Sequence, residues 1–422
     1  MRAILNRFLG VALAGSMLSL AACDDFLEVK NPNSLEAEAV DPERDARLLS
    51  LSAYQGFVAA HGDIAVYGAW FTNEARVGDT FPTRNEFGRR DVPNNNGHIS
   101  GDLWNVQHRA MQFARTTIGS IEAAGNNIDL ARAYLTAGWT MLNIGLHFCE
   151  GTIAESWLVA RGPISSSAML DSAIVYLQKT NDIARGLNTT EGTNMANAAM
   201  VGIARAHLQN GRKPQAAAAA QAAIASGPSF SYVLPHYDDA GNRGRLGNTI
   251  WSYSESRISL VVGDEWRAMA DAGDPRISYV DMKRPAQDGV LNFFRQNKIT
   301  GWGSSDRLAS ALEARYIIEE ANMNPATMLA FINERRVVGK QAAFASTDPQ
   351  VLLRELMEQK GRDFWLEGKR MADFRRLGHV VPYVLETGPN YYKDVQGGIV
   401  GDQTCWPVPQ GEINNNPEWP KG

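Results

Sequence analysis

Small residues recur between Asn194 and Pro228 at intervals that suit two helices crossing at close range. Ala204 is followed by Ala216 twelve positions on, by Ala223 seven further, and by Pro228 five after that. The run Met195 to Gln209 reads as a helix ending at Asn210-Gly211, a C-cap pair. Pro214 then stands near the start of a second helix, Gln215 to Ser226. A looser copy runs from Asp306 to Val337, with Ala314, Ala326 twelve later and the turn Asn322-Met323-Asn324-Pro325, but with Asn333 where a small residue is expected. Upstream, Leu130, Tyr134, Ala137, Met141, Ile144 and Phe148 alternate in steps of four and three, the stripe of a buried helix face. Gly138 and Gly145 on that helix each cost about 1 kcal/mol against Ala in isolation. A neighbouring helix in close contact there would offset the cost. Such units cannot bury their apolar faces alone, so they must stack.

These intervals resemble the tetratricopeptide helix pair. The expected fold is therefore mainly α, a tetratricopeptide-like helical superhelix with irregular loop-rich insertions. Helix pairs are expected at about 130–228 and 306–337. A helix over about 45–60 precedes a first insertion at about 62–101, rich in Gly, Asn, Pro and aromatics. A second insertion is expected at about 233–303, and a C-terminal helix with a Pro-rich tail over 348–422. Within the second insertion, Asp238-Asp239 before Gly241-Asn242 reads as a polar turn rather than a cation site.

The first residues set the compartment. Arg2 and Arg7 precede the apolar run Phe8 to Leu20, which is too short for the roughly 20 residues that span a bilayer. Leu20-Ala21-Ala22-Cys23 follows and looks like a bacterial lipobox. The reading is a signal peptide over 1–22, a lipid on Cys23, a polar tether over 23–41 and a single body over 42–422. The membrane partner is then the lipid-embedded leaflet, reached through one end of the chain. The net charge of -5 offers no basic footprint for nucleic acid. With Cys23 consumed by lipid, Cys149 and Cys405 remain in an oxidising compartment, where an even count favours a disulfide over two small buried thiols.

The last third carries a wider resemblance. Asp348-Pro349 opens a helix whose apolar face is Leu352, Leu353, Leu356, Met357 and Phe364. From Arg362 the sequence reads RDFWLEGKRMADFRRLG. This resembles the R-x-E-L-x-x-E-G-x-R-x-x-D-L-x-R-x-G-like segment of the SusD/RagB family of outer-membrane nutrient-uptake lipoproteins. Asp363, Phe364 and Phe374 replace Glu and two Leu and keep chemical type. Three further pieces agree in order: Cys23-Asp24-Asp25-Phe26-Leu27, then Leu312-Glu313-Ala314-Arg315 with Ile332-Asn333-Glu334-Arg335, then Trp406-Pro407-Val408-Pro409-Gln410-Gly411-Glu412-Ile413 with Asn416-Pro417. The resemblance implies a non-enzymatic lipoprotein of the outer membrane, exposed at the cell surface. Its implied partners are a SusC-like TonB-dependent transporter and an oligosaccharide or peptide ligand.

Charge and absence of motifs bear on the same question. Arg362, Arg370, Arg375 and Arg376 lie beside Asp363, Glu367 and Asp373, nearly balanced, so the expected role is structural: guanidinium forks locking this helix end onto the array. Seven His are scattered without metal spacing, and no hydrolase elbow, P-loop or dinucleotide fingerprint is present. No cofactor, metal site or catalytic residue is expected, and a glycoside hydrolase lacks an evident carboxylate pair. A ligand site is expected on the loops, with Trp302 (flanked by Gly301 and Gly303), Trp70, Phe81 and Phe87 as aromatic platforms. The competing reading is a helical-repeat scaffold lipoprotein of an outer-membrane assembly.

Overall fold

The computed structural model describes residues 41–420; Cys23, the signal segment and residues 24–40 of the tether lie outside the described residues. The first helix, α1 (Ala46–Phe71), is buried on every side from Ile64 to Phe71, as a central helix is. It runs eleven residues past the Ala60 end expected from sequence, so the first insertion begins at Thr72 rather than at 62. The glycines and aromatics of 62–71 suggested loop because an all-round apolar helix has no amphipathic period. After the short strand β1 (Arg76–Val77) and helix α2 (Pro82–Gly88), a wide turn at Ile99–Trp104 leads into α3 (Asn105–Ile121).

A run of helices follows, each packed on the next: α4 (Ile128–His147), α5 (Ser166–Gly186), α6 (Thr190–Gln209) and α7 (Lys213–Ala225). Side chains that the sequence places before the first three starts do the capping. Asn127 accepts from the amides of Asp129 and Leu130, Ser165 from Ala168, and Thr189 from Gly192. Ala204, Ala216 and Ala223 are fully buried. The two glycines of α4 mark the closest approach. A Cβ at Gly138 would stand 2.7 Å from Leu177 Cγ, and one at Gly145 would stand 2.8 Å from Leu170. The 130–228 array is thus a continuous stack.

The second pair is α9 (Ala311–Asn322) and α10 (Pro325–Val338), joined at Asn324, which caps α10. Ala314 is buried against this stack, but Ala326 is exposed, so the looser copy keeps only half of its small-residue contacts. Asn333 takes another task, bonding the amide and carbonyl of Phe344 to hold the connector before α11 (Pro349–Asp363). Helix α12 (Arg370–Leu377) follows, and a short helix at Gln410–Asn415 lies in the Pro-rich tail.

Short antiparallel ladders anchor the irregular parts. Strands β2 (Glu150–Gly151) and β3 (Ile164–Ser165) close the base of a loop between α4 and α5. Strands β4 (Ser231–Leu234) and β8 (Asp306–Ser310) pair from Ser231↔Ser310 to Leu234↔Asp306, so the two ends of the second insertion are clamped together. Inside it, β5 (Leu260–Val261) pairs with β1 and ties the first insertion to the second. Strands β6 (Tyr279–Pro285) and β7 (Asn292–Gln296) form its hairpin, after α8 (Asp264–Asp271). Among the described residues no helix is long and apolar enough to cross a membrane.

Cys149 and Cys405 form a disulfide with a Cα separation of 5.2 Å. Next to it Trp406 is fully buried, and its amide and carbonyl bond His147 O and Cys149 N at 2.8 and 2.9 Å. The C-terminal segment is therefore held by a covalent bond, a short parallel bridge and a buried ring together.

Two outcomes are expected in chemical denaturation. Gly138→Ala loses about 1–3 kcal/mol, because its methyl meets Leu177, whereas Gly56→Ala, with open space around it, gains up to about 1 kcal/mol. The Cys149→Ser/Cys405→Ser variant loses about 2–5 kcal/mol while keeping native far-UV circular dichroism, since the Trp406 contacts persist.

Candidate functional site

A polar cavity of about 220 Å³ opens where α1, the 99–104 turn and the second insertion meet. Asp63 from α1, Asp102 from the turn, Tyr253, Arg257 and Arg243 face it, with Trp302 at its edge. Asp102 is held firmly: its Oδ2 accepts from Tyr67 OH at 2.5 Å and bonds His98 Nδ1 at 2.9 Å. Burial alone would raise its pKa, but these bonds outweigh burial and hold the carboxyl below the usual range. Asp63 behaves oppositely. Burial raises its pKa well above the ordinary value, and the charge of Asp102 pushes it the same way against the pull of Arg257. The cavity thus holds two carboxyls shifted in opposite directions, Asp102 toward the ionised form and Asp63 toward the protonated one.

Trp302 is half-buried. Its ring lies on the backbone of Gly247, where a Cβ would come within 2.6 Å of the indole, and Arg243 sits 5.9 Å from the ring centroid. The loop that carries it is pinned by Asn248, whose amide bonds Trp302 O at 2.8 Å. The Asn248 side chain reaches Ser304 O and Asp306, and Asp306 in turn bonds His236. The ring therefore has a fixed seat at the cavity edge. Asp239 accepts from Asn242 in a local turn, as the sequence suggested.

The other expected platforms divide. Phe81 is 53% exposed, and the Arg84 guanidinium lies between its ring and that of Tyr253, at 5.1 and 5.3 Å. Trp70 and Phe87 are corrections: they are 1% and 0% exposed and belong to the core. Trp70 packs edge-on against Tyr253 at 5.3 Å and Tyr67 at 5.1 Å, and Phe87 packs behind Tyr67 at 4.6 Å. They brace the cavity wall instead of meeting a ligand, because the helix that carries Trp70 runs on into the core. Sequence reasoning passed over Asp63, Asp102, Tyr253 and Arg257. A lone acid within the apolar run AAHGDIAVYGAW was the available signal for Asp63.

The 362–376 cluster is built for packing. Arg376 forks onto Glu320 at 2.8 and 2.9 Å and also bonds Asp373 and Gln209. Asp373 further accepts from Lys360 at 2.7 Å, and Arg362 bonds Asp274 at 3.0 Å. Glu367 gathers Lys298, Arg307 and Lys369; burial opposes its charge, but these three cations drive its pKa far down. Two members depart from carboxylate pairing. Arg375 donates to the carbonyls of Gly145, Leu146 and Phe148 at 2.8–3.2 Å, capping the C-terminal end of α4. Arg370 lies over the Trp266 ring at 5.4 Å, with Nε and Nη2 buried and unbonded. The glycine in this segment is needed where it stands: Gly368 has φ 67°, and a Cβ there would stand 3.2 Å from the Cα of Ala65 in α1.

No family model and no curated protein matches the sequence. The fold does match solved structures. A SusD superfamily protein from Parabacteroides distasonis superposes with a TM-score of 0.68 at 13% identity, covering 90% of this chain and 99% of that one. One from Bacteroides thetaiotaomicron gives the same score, identity and coverage. A structure described as a laminarin binding SusD-like protein gives 0.62 at 13% identity, covering 87% and 98%. The chain has the helical fold of these proteins, as the sequence resemblance implied.

Glu74, in the wall behind the cluster, offers a test of its electrostatics. It is buried with Oε2 unbonded, and burial raises its pKa to about 7 against the partial relief given by Arg370. The native state therefore holds a proton that the unfolded chain releases near 4.5, so stability falls as pH rises from about 4.5 to 7. Glu74→Gln is expected to match wild type near pH 5 and to exceed it by about 1–3 kcal/mol at pH 8, read from denaturation midpoints at both values.

Proposed function

We propose that this chain is a non-enzymatic, SusD-like lipoprotein of the outer membrane. It binds an oligosaccharide at the Trp302 cavity and passes it to a TonB-dependent, SusC-like transporter. The observation that carries the reading is the seat of Trp302 beside Asp63, Asp102 and Arg257 in a fold shared with proteins described as sugar binding. A sugar ring offers an apolar face to the indole and paired hydroxyls to a carboxylate or guanidinium, and all three kinds of partner line this one cavity. Lipid on Cys23 places the body at the membrane surface, where the transporter is reached by diffusion in the leaflet.

Two carboxyls whose pKa values are pushed in opposite directions are also the minimum for hydrolytic acid–base work, which gives a second reading a specific footing. One experiment separates the two. The detergent-solubilised lipoprotein is screened on a glycan array that includes laminarin oligosaccharides, and hits are titrated calorimetrically and assayed for new reducing ends. Trp302→Ala and Asp63→Asn are each expected to weaken binding at least about tenfold with unchanged melting temperature, and no reducing ends are expected. Full affinity in both variants sinks the site; steady release of reducing ends that stops in Asp63→Asn replaces binding with hydrolysis. Fatty-acid labelling of wild type but not of Cys23→Ala tests the anchor.

A further inference from the structure

A second surface site lies on the helical array and shares no lining residue with the Trp302 cavity. The loop clamped by β2 and β3 folds into a tight turn at Glu155 to Val159, held by the amide of Glu155 on Val159 O at 2.9 Å. Its base is fixed by Thr152 Oγ1 on Arg161 O and by Arg115 of α3, which reaches Ala154 O. This frame displays Trp157 at 57% exposure and Leu158 at 95%. Trp157 stands between two adjoining grooves of about 600 and 420 Å³ and lines both, as do Gln112 and Ser156. Tyr134 and Tyr176, with ring centroids 5.9 Å apart, form the wall of the larger groove, and Trp104 lines the smaller.

The charges along this path are unbalanced. Glu155 is paired with Arg161, and Glu412 accepts from Trp104 Nε1 and Asn416. Arg109 and Lys179 line the grooves with no carboxylate in salt-bridge reach among the described residues, whereas Arg115 is taken up by Tyr176 OH, Gln112 Oε1 and Ala154 O. Exposed Trp157 and the Tyr134–Tyr176 wall, beside cations that outnumber Glu412, the one groove carboxylate with no ion-pair partner among the described residues, suit a chain of sugar rings that carries negative groups. A neutral glycan would leave the cations unused.

We propose that the Trp157 grooves are a second binding site, specific for an anionic oligosaccharide bearing carboxylate or sulfate groups. Trp157 is the stacking platform, and Arg109 and Lys179 recognise the charges. The test titrates the full lipoprotein in detergent with an oligogalacturonate hexamer (carboxylate), a heparin-derived hexasaccharide (sulfate) and neutral cellohexaose. At least one anionic probe is expected to bind, with affinity falling as NaCl is raised. Trp157→Ala and the Arg109→Glu/Lys179→Glu double variant, both altered at exposed positions, are each expected to weaken it about tenfold or more at unchanged melting temperature. Trp302→Ala is expected to bind the anionic probe as wild type does. Failure of both anionic probes to bind, equal binding of cellohexaose, or full affinity in both groove variants overturns the proposal.

Discussion

The buried ion-pair network at the α11–α12 junction is the constraint on which the rest of the structure rests. Arg376 joins α12 to α9 through Glu320 and to α6 through Gln209, and Glu367 draws in Lys298 and Arg307 from the second insertion. Asp363 receives Arg335 of α10 and Arg276 of the insertion at 2.8–3.1 Å. Breaking one partner of such a buried pair costs about 3–5 kcal/mol, because the other charge is left desolvated. The network therefore admits one arrangement of helices and insertion and penalises slippage of any of them. Backbone also takes part: Arg375 uses the carbonyls at the C-terminal end of α4, and Lys369 adds those of Arg307 and Leu308 to its pairing with Glu367.

That lock positions the candidate site indirectly. The second insertion is clamped at its ends by β4 and β8, held to Glu367 from inside by Lys298 and at the β8 end by Arg307, and tied to the first insertion through β1 and β5. The cavity forms where this assembly meets α1, so its floor belongs to the core and its edge to a loop. Successive aromatic layers, Phe87 to Tyr67 and Trp70 to Tyr253, connect the core to the cavity wall. A ligand there would meet a rigid wall with few torsions left to order, which favours affinity through preorganisation.

Much of the array could be read from local rules. Caps at Asn324 and Asp348, the Gly138 and Gly145 contacts and the buried Ala204, Ala216 and Ala223 all follow from short-range chemistry that a single chain segment carries. The even thiol count pointed to the 149–405 bond without any geometry. The misreadings share one cause. Trp70 and Phe87 stand in Gly- and Asn-rich surroundings that suggest loop, yet burial depends on what packs from distant segments. Ala326 has the right spacing but no neighbour to meet it.

The sequence by itself determined the helical array, its caps and close contacts, and the density of charge near the C-terminus, because helix period, capping and pairing chemistry act over a few residues. Only the tertiary structure decided which ring is displayed and which is buried, since exposure is a property of the assembled surface. It alone brought Asp63, Asp102, Tyr253 and Trp302 to one cavity across nearly 240 positions of chain. It alone gave those two carboxyls opposite pKa shifts, because desolvation and the bonds from Tyr67 and His98 exist only once the core has closed around them.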